Sequence, residues 1–344
     1  MTVRVAINGF GRIGRLALRA IIESKRGDIQ VVGINDLGSV EANAHLLRYD
    51  SVHGKSPFKV GVKGDTINVG QGDITVTAER DPTKLPWGEL KVDLTMECTG
   101  LFTSREKSAM HLEAGARKVL VSAPTKNADL TVVYGVNDDK LNNNHLVVSN
   151  ASCTTNCLAP VADVLHKSLG IEKGFMTTVH ASTGDQRMVD TLHGDLQRAR
   201  AASASLIPAT TGAAKAIGDV LPELAGKLDG YAIRVPTLNV SLVDLTFTAA
   251  RNTSAEEVNE IIKTASTNRR LQGVMATNEE PMVSIDFNHN SYSSTVDLPQ
   301  TRVIQGNFVR ILSWYDNEWG FANRMAAVAA AAKPTRRSEE RRVG

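Results

Sequence analysis

The sequence predicts an α/β protein with two domains, in which a parallel sheet with flanking helices precedes an α+β domain with a mainly antiparallel sheet. Over about the first 150 residues, short apolar runs alternate with stretches of helical periodicity, a pattern typical of strands joined by crossover helices. Towards the C-terminus, long strand-like runs follow one another with few helices between them, which favours antiparallel pairing. A chain of 344 residues is long enough for two such cores.

The first domain begins with a change of period. Val3, Val5 and Ile7 alternate as in a strand, and apolar residues then recur at helical spacing from Ile13 to Ile21. We assign residues 1–151 to this domain. Further strands are predicted at 29–36, 93–100, 118–124, 130–136 and 145–150, with a helix at 106–114.

The second domain, residues 152–316, begins with a predicted helix at 153–169. A polar segment at 184–204 comes next, and strand runs are predicted at 231–250 and 307–316. The last helix, within 317–333, has apolar residues near one face, so we expect it to dock back on the first domain. Residues 334–344 are charged and almost without apolar side chains, and we expect them to be disordered.

A glycine-rich turn separates the first strand from the first helix. Gly9, Gly11 and Gly14 form a G-x-G-x-x-G pattern, and Asp36 ends the next strand run about 20 residues further on. In such a motif the glycines permit the tight turn, the approach of a pyrophosphate and close packing of helix and strand. Amides at the helix N-terminus then face the phosphates. The pattern predicts a dinucleotide site in which Asp36 binds ribose hydroxyls and repels a 2′-phosphate, although Asp36 alone would also suit a turn.

Three cysteines occur in the chain, and two of them lie in the stretch SNASCTTNCLAP. A zinc site is disfavoured because Cys153 and Cys157 lack the usual spacing and no second pair exists, so we predict no metal. Cys153 is predicted to open a helix, where the N-terminus and a nearby imidazole would lower the thiol pKa and make a nucleophile. Cys157, one turn deeper, and Cys98, within a strand run, are interpreted as core residues. An oxidised Cys153–Cys157 pair under stress stays open as an alternative.

Composition limits the classes of partner. A net charge of +2, much of it from the basic tail, gives no electrostatic case for nucleic acid. No apolar stretch is long enough to cross a membrane, and the N-terminus lacks the pattern of a signal peptide. The few cysteines favour a reducing compartment. We therefore expect a cytoplasmic protein.

Several long motifs resemble those of one enzyme family. INGFGRIGR, SNASCTTNCLAP, TTGAAKA, RVPT and SWYDNEWG occur in the order found in phosphorylating glyceraldehyde-3-phosphate dehydrogenases, and the resemblance runs from about Val3 to Ala332. The resemblance implies a Rossmann-type NAD-binding domain, a catalytic domain and a homotetramer. It also implies oxidative phosphorylation of glyceraldehyde 3-phosphate to 1,3-bisphosphoglycerate in glycolysis or gluconeogenesis, with reduction of NAD.

The same resemblance assigns roles to individual residues. Cys153 matches the nucleophile that becomes acylated, and His180 matches its general base. On residue type alone, His180 would be a core histidine and Arg198 a solvated helix arginine. The cofactor positions are Gly9, Gly11, Arg12, Ile13, Gly14, Asp36, Arg80, Ser122 and Asn317. The positions for substrate or inorganic phosphate are Ser152, Thr154, Thr183, Arg198, Thr211, Gly212 and Arg234.

The chain departs from the family pattern at a few positions. Ser182 stands where an aromatic residue is usual, and the residues around Gly38 and Thr191 are smaller than in strictly NAD-preferring members. These departures leave room for some use of NADP. Erythrose-4-phosphate dehydrogenase is the nearest rival, although TTGAAKA matches an intact phosphate site. A catalytically idle binding protein is the remaining alternative, which the pairing of Cys153 with His180 disfavours.

Overall fold

The computed structural model describes residues 2–333, so the tail predicted at 334–344 lies outside the described residues. The chain divides into two compact units. The first takes Met1–Val132, Asp138–Asn150 and the C-terminal stretch from Ala322. The second takes Val133–Asn137 and Ala151–Phe321.

The first unit alternates strands and helices in its opening stretch, as its periodicity predicts. Each of the central strands is almost wholly buried, because helices and loops cover both faces of a parallel sheet. In chain order the elements are β1 Val3–Asn8, α1 Arg12–Glu23, β2 Ile29–Asn35, α2 Val40–Arg48, β3 Gly61–Lys63, β4 Thr66–Asn68, β5 Asp73–Thr77, β6 Leu94–Glu97, α3 Arg105–Ser108, α4 Met110–Glu113, β7 Lys118–Val121, β8 Leu130–Thr131 and β9 Val147–Ser149.

These strands form one nine-stranded sheet within residues 2–333, in the order β3-β4-β5-β2-β1-β6-β7-β9-β8. All pairs from β5 to β8 along this order are parallel, whereas β3 and β4 add an antiparallel edge. The carboxyl ends of β1, β2 and β6 therefore meet at one edge of the sheet, where open α/β sheets bind ligands.

The second unit is built around a long central helix and a mixed sheet. The helix begins at Cys153 and ends at Leu169, as predicted, and contributes much of the apolar core. The elements are α5 Cys153–Leu169, β10 Ile171–Ala181, β11 Ile207–Thr210, α6 Ala213–Val220, β12 Leu228–Val235, β13 Ser241–Ala249, α7 Ala255–Ser266, β14 Met275–Asn278, β15 Ser294–Asp297, β16 Arg302–Ile304, β17 Phe308–Tyr315 and α8 Trp319–Ala331, the last of which continues into the first unit.

The sheet of the second unit has the order β11-β12-β10-β13-β17-β15-β14, with β16 paired to β17. Most of its pairs are antiparallel, as predicted, but β10 runs parallel to β12 and β14 runs parallel to β15. The pairing of β10 with β12 places His180 beside Arg234 in register.

Several predicted elements are wrong in extent, and the strand predicted at 93–100 is one of them, since β6 ends at Glu97. The strand run at 130–136 stops at Thr131, because Asn137 accepts a hydrogen bond from Val133 N and closes a turn. The run at 231–250 breaks after Val235, where Pro236 cannot donate to a ladder and Thr237 N turns back to the Val235 carbonyl. The helix at 106–114 is divided into two short helices that meet at Ala109.

Candidate active site and dinucleotide pocket

The glycine turn has the geometry that its motif predicts. Gly9 has a φ of 87°, and a Cβ there would lie 2.7 Å from the backbone nitrogen of Thr99. A Cβ on Gly14 would lie 2.1 Å from the Gly9 carbonyl oxygen, so only glycine permits this packing of α1 on β1. A Cβ on Gly11 would meet nothing within 4 Å, which leaves its backbone open to a ligand.

A cavity of about 460 Å³ opens at the carboxyl ends of β1, β2 and β6. It brings together the start of a helix, apolar side chains and a carboxylate. These are the features that dinucleotide-binding sites use. Of the predicted cofactor residues, Gly9, Gly11, Asp36 and Arg80 line it. The other lining residues are Asn8, Asn35, Leu37, Glu79, Cys98, Thr99, Leu101 and Phe102.

Asp36 is held in place by backbone donors. Its Oδ2 accepts from Phe10 N at 2.8 Å and its Oδ1 accepts from Gly38 N at 3.0 Å. Each carboxylate oxygen keeps a further acceptor position, so the group can still bind ribose hydroxyls. Asp36 therefore has both a fixed orientation and unused acceptor capacity.

The remaining predicted cofactor residues do not line this cavity. Arg12 Nη1 lies 2.5 Å from Asp50 Oδ2, and Asp50 accepts from backbone amides as well, so hydrogen bonds and charge hold the pKa of Asp50 at about 2 despite burial. Ser122 follows β7, and its amide donates to the Glu97 carbonyl. Ile13 and Gly14 lie within α1, and Asn317 belongs to the second unit.

Cys153 opens α5 after a strained turn. Ala151 has a φ of 56°, a left-handed conformation that non-glycine residues adopt mainly where the surrounding structure imposes it. Ser152 caps the helix, with its Oγ accepting from Thr155 N at 3.0 Å. The chain thus directs the Cys153 side chain from the first position of a helix, as predicted.

His180 lies at the end of β10 and faces this thiol. Its Nε2 is 3.4 Å from Cys153 Sγ, and the ring is 3% exposed. Two groups compete for Nδ1: the Ala181 carbonyl, which can only accept, and Arg234 Nη1, which can only donate, each at 2.7 Å. The tautomer that donates from Nδ1 to Ala181 leaves Nε2 as an acceptor for the thiol proton.

The charge states at this pair differ from the prediction. Burial and the Arg234 guanidinium lower the pKa of His180 to about 3, so the imidazole is neutral at pH 7. Burial raises the pKa of Cys153, although Arg234 and hydrogen bonds from Thr154 oppose the shift. The expected lowering of the Cys153 pKa is therefore wrong for this arrangement, because desolvation of the thiolate outweighs the nearby donors. Thiol and neutral imidazole face each other.

The other two cysteines differ from Cys153. Cys157 is fully buried, its Sγ lies 3.7 Å from Ser294 Oγ, and burial raises its pKa to about 12, which confirms its interpretation as a core residue. Cys98 was predicted within a strand, but β6 ends at Glu97, so Cys98 lines the dinucleotide pocket. Burial and the Glu97 charge raise the pKa of Cys98 too.

Two arginines supply charge around the thiol. Arg234 contacts His180 and interacts electrostatically with Cys153 and Arg198. Arg198 Nη1 pairs with Asp185 Oδ2 at 2.9 Å, and its Nη2 donates to the Thr210 carbonyl at 3.2 Å. Within residues 2–333, the Nε atoms of Arg198 and Arg234 are buried without a hydrogen-bond partner. Buried donors of this kind suit an anionic ligand.

The predicted hydroxyl groups around the thiol have partners of their own. Thr154 Oγ1 contacts Tyr315 OH at 2.9 Å, and Thr183 is held by Gln186 through its amide and hydroxyl. Thr211 Oγ1 accepts from Ala213 N beside Gly212, at the start of α6. The hydroxyl of Ser152 therefore serves the helix cap, and that of Thr154 contacts Tyr315.

Several residues that organise these sites escaped prediction from sequence. Ser241 Oγ accepts from Ala181 N at 3.0 Å and donates to Asn317 Oδ1 at 2.8 Å, which ties the His180 segment to a predicted cofactor residue. Glu97 and His111 form a buried polar pair below the dinucleotide pocket. Glu97 stands at the carboxyl end of the observed strand β6 but in the middle of the run predicted at 93–100, so no signal in the sequence marked its position.

Two features are absent from the residues that the structure describes. Between residues 2 and 333, no group of three or more histidine, cysteine or acidic side chains is arranged to hold a metal ion. In the same part of the chain, no helix has the length and apolar character of a membrane span.

Comparison with known proteins places this geometry in context. Residues 3–105 match the family described as glyceraldehyde 3-phosphate dehydrogenase, NAD binding domain, and residues 152–317 match its C-terminal domain. A relative from Xanthobacter flavus named glyceraldehyde-3-phosphate dehydrogenase is 67% identical over 96% of this chain and 98% of its own length. Relatives of the same name from Cereibacter sphaeroides and Geobacillus stearothermophilus are 63% and 55% identical, each over 96% of this chain and 98% of their own length.

Proposed function

Because this chain belongs to the glyceraldehyde-3-phosphate dehydrogenase family, whose members are NAD-dependent oxidoreductases, we propose that it converts glyceraldehyde 3-phosphate and inorganic phosphate to 1,3-bisphosphoglycerate. The observation that carries the proposal is Cys153 Sγ at 3.4 Å from His180 Nε2, with Arg234 Nη1 2.7 Å from the other ring nitrogen of His180. The relatives do not favour the erythrose-4-phosphate alternative.

NAD is the cofactor of this family, and the residues of the first unit fit it. Gly9 and Gly11 would hold the pyrophosphate at the start of α1, and Asp36 would bind the adenosine ribose. When bound, NAD supplies the acceptor for the hydride that leaves the substrate. We further propose that Arg80, Arg12, Ile13, Gly14, Ser122 and Asn317 contribute to this binding.

The substrate phosphate would be bound by Arg234 and Thr183. An anion paired with the Arg234 guanidinium draws that donor away from His180 Nδ1, where it competes with the Ala181 carbonyl. The tautomer with a proton on Nδ1 is then favoured, and Nε2 is left as the base. Substrate binding and activation of the base are thereby coupled through one arginine.

The covalent step begins with the thiol of Cys153. His180 Nε2 accepts its proton as sulfur attacks the aldehyde carbon, and the C=O π bond breaks as the C–S bond forms. The imidazolium then returns the proton to the former carbonyl oxygen, which gives a neutral thiohemiacetal with a hydroxyl group. The hydroxyl proton of that intermediate passes to His180 as the carbon loses hydride, and the product on Cys153 is a thioester. The amide of Cys153, at the start of α5, would stabilise the developing oxyanion.

The second half of the reaction breaks the thioester. Inorganic phosphate, bound by Arg198 and the turn at Thr211 and Gly212, would attack the thioester carbon, and cleavage of the C–S bond would release the Cys153 thiolate. The thiolate would then take back the proton held by His180, and the proton lost by the phosphate would pass to solvent. The products are the acyl phosphate 1,3-bisphosphoglycerate and the free enzyme. The requirement for two anions per cycle accounts for two arginines beside one thiol.

We propose a homotetramer in the cytoplasm. The segment from 184 to 206 exposes large apolar side chains that a neighbouring copy would cover. They are Met188, Val189, Leu192, Leu196 and Leu206, with Leu192 92% exposed. The three cysteines are free thiols, which suits a reducing compartment.

The test of the reaction is NADH formation from glyceraldehyde 3-phosphate with and without inorganic phosphate, and then from erythrose 4-phosphate. We expect strong dependence on phosphate and poor use of the four-carbon sugar. Turnover that needs no phosphate and favours erythrose 4-phosphate would assign the chain to the rival activity. Absence of turnover with either aldehyde would favour the idle binding protein.

A further inference from the structure

A buried carboxylate lies beneath the dinucleotide pocket without lining it. Glu97, the last residue of β6, is 1% exposed and has no arginine or lysine among its hydrogen-bond partners within residues 2–333. Its Oε1 accepts from Thr99 N at 2.7 Å and from Thr99 Oγ1 at 2.5 Å. Its Oε2 accepts from Asn8 Nδ2 at 2.6 Å and contacts His111 Nε2 at 2.9 Å.

The protonation of His111 follows from its other neighbour. Trp87 Nε1 lies 3.1 Å from His111 Nδ1, and an indole nitrogen can only donate. Nδ1 is therefore unprotonated, and the proton of the neutral ring is on Nε2, where it is donated to Glu97. Asn8 Nδ2 and His111 Nε2 are 3.4 Å apart, a spacing that suits two donors sharing one oxygen. Glu97 thus faces four donors, two at each carboxyl oxygen.

The hydrogen bonds continue from Glu97 along the edge of the sheet. Asn8 Oδ1 accepts from Asn35 Nδ2 at 2.7 Å, and Asn35 Nδ2 also donates to the Glu79 carbonyl at 2.8 Å. Asn35 Oδ1 accepts from Glu79 N at 2.9 Å. Asn8, Asn35, Glu79 and Thr99 all line the cavity, and Arg80 follows Glu79. One buried carboxylate therefore orients the ends of three strands and the segment that carries Arg80.

We infer that Glu97, with its orientation set by His111, is a positioning residue for the adenosine half of NAD. This inference rests on the proposed assignment of the cavity to NAD, in which Asp36 binds the adenosine ribose. Glu97 touches no part of the ligand in this assignment. It acts through Asn8 and Thr99, which it contacts directly, and through Asn8 on Asn35.

The central experiment measures binding of NAD and of ADP-ribose, which lacks nicotinamide, by calorimetry on the folded full-length protein. Glu97→Gln replaces an acceptor by an NH2 group that must face one pair of donors, and buried donors left unpaired are costly. We expect both dissociation constants to rise about 10- to 100-fold. At saturating NAD, kcat should stay within about threefold of wild type, because the reacting groups belong to the second unit.

Two further comparisons separate positioning from a general loss of stability. His111→Gln keeps a donor for Glu97 and should retain affinity within about threefold, whereas His111→Leu should weaken both ligands about 10-fold. Lys118→Met removes a buried bond to the Asn142 carbonyl at the opposite end of the same sheet. It should lower stability and leave both dissociation constants unchanged.

Three results would overturn the inference. They are wild-type affinity in Glu97→Gln, equal affinity losses in His111→Gln and His111→Leu, and an affinity loss in Lys118→Met as large as that in Glu97→Gln. If Glu97→Gln does not fold, the His111 pair decides the question. Binding needs no turnover, so failure of the proposed reaction and failure of this inference give different results.

Discussion

The two polar sites of this protein differ in how completely their buried polar groups are hydrogen-bonded. Beneath the dinucleotide pocket, each oxygen of the Glu97 carboxylate faces two hydrogen-bond donors. Near Cys153, Arg234 Nε is buried without a hydrogen-bond partner within the described residues, whereas Arg198 is partly exposed and pairs with Asp185 and Asp195. A network whose bonds are complete holds a shape, whereas a buried cation with an unused donor is suited to take an anion from a ligand. The first site should therefore govern affinity and the second should govern chemistry.

The largest effect is expected at the nucleophile. Cys153→Ser should lower turnover about 10⁴-fold or more, since a serine hydroxyl beside a neutral imidazole is a far weaker nucleophile. Affinity for NAD should be unchanged, because the dinucleotide pocket lies in the other unit. Steady-state turnover and calorimetry measure the two quantities separately.

The matched control for that variant is Cys157→Ala, four positions along the same helix. One equivalent of a thiol alkylator should abolish wild-type activity and label Cys153, while the Cys157→Ala protein should lose activity in the same way. Labelling found mainly at Cys157 or Cys98 by peptide mapping would show that the nucleophile is misassigned.

The second largest effect is expected at Arg198. Removal of a charged hydrogen bond to phosphate costs about 1.5–3 kcal/mol, so Arg198→Ala should slow phosphorolysis about 10- to 150-fold. A single turnover of hydride transfer should suffer less, because inorganic phosphate enters after that step. Rapid-mixing kinetics with varied phosphate separates the two steps. Equal slowing of both would remove Arg198 from the inorganic phosphate site.

A third prediction concerns the choice between NAD and NADP. The Asp36 carboxylate, fixed by Phe10 N and Gly38 N, should repel a 2′-phosphate by about 1–3 kcal/mol, or about 5- to 150-fold in catalytic efficiency. We expect NAD to be preferred and Asp36→Ala to reduce the preference. A wild-type preference for NADP, or an unchanged ratio in Asp36→Ala, would contradict this role.

The smallest effect is on stability at mildly acidic pH. His180 is buried as neutral imidazole with a pKa of about 3, well below the ordinary 6.5 of an unfolded histidine. Protons therefore bind the unfolded chain first, and stability is lost as pH falls below about 6.5 towards 3. Between pH 7.5 and 5.5, His180 should contribute about 1.4 kcal/mol of this loss.

Chemical denaturation at the two pH values measures that contribution. His180→Asn, which keeps an amide donor for the Ala181 carbonyl, should show a loss smaller by about the same 1.4 kcal/mol. His166, whose pKa is also lowered by burial, remains in both proteins and cancels in the comparison. Parallel losses in wild type and His180→Asn would show that the imidazole titrates normally.

Local sequence patterns predicted much of the architecture. The G-x-G-x-x-G turn indicated its own geometry because Gly9 and Gly14 meet neighbours within a few residues or on adjoining strands. The helix at 153–169 was predicted with its observed bounds, since a serine cap and a glycine at the C-cap mark its ends. The run at 231–250 was predicted as one strand, whereas the structure has two. Val235 and Ser241 are both strand residues, and only Pro236 between them signals the break.

The charge states and the polar network were beyond the reach of the sequence. The pKa values of Cys153 and His180 depend on how completely β10, β12 and α5 bury them and on a guanidinium more than 50 positions away in the chain. Glu97, His111 and Trp87 likewise meet only when strand ends and a helix converge. Residue type, periodicity and short motifs are properties of neighbours along the chain, and they were enough for the elements and the family. Desolvation and hydrogen-bond pairing are properties of neighbours in space, so they exist only once the chain has folded.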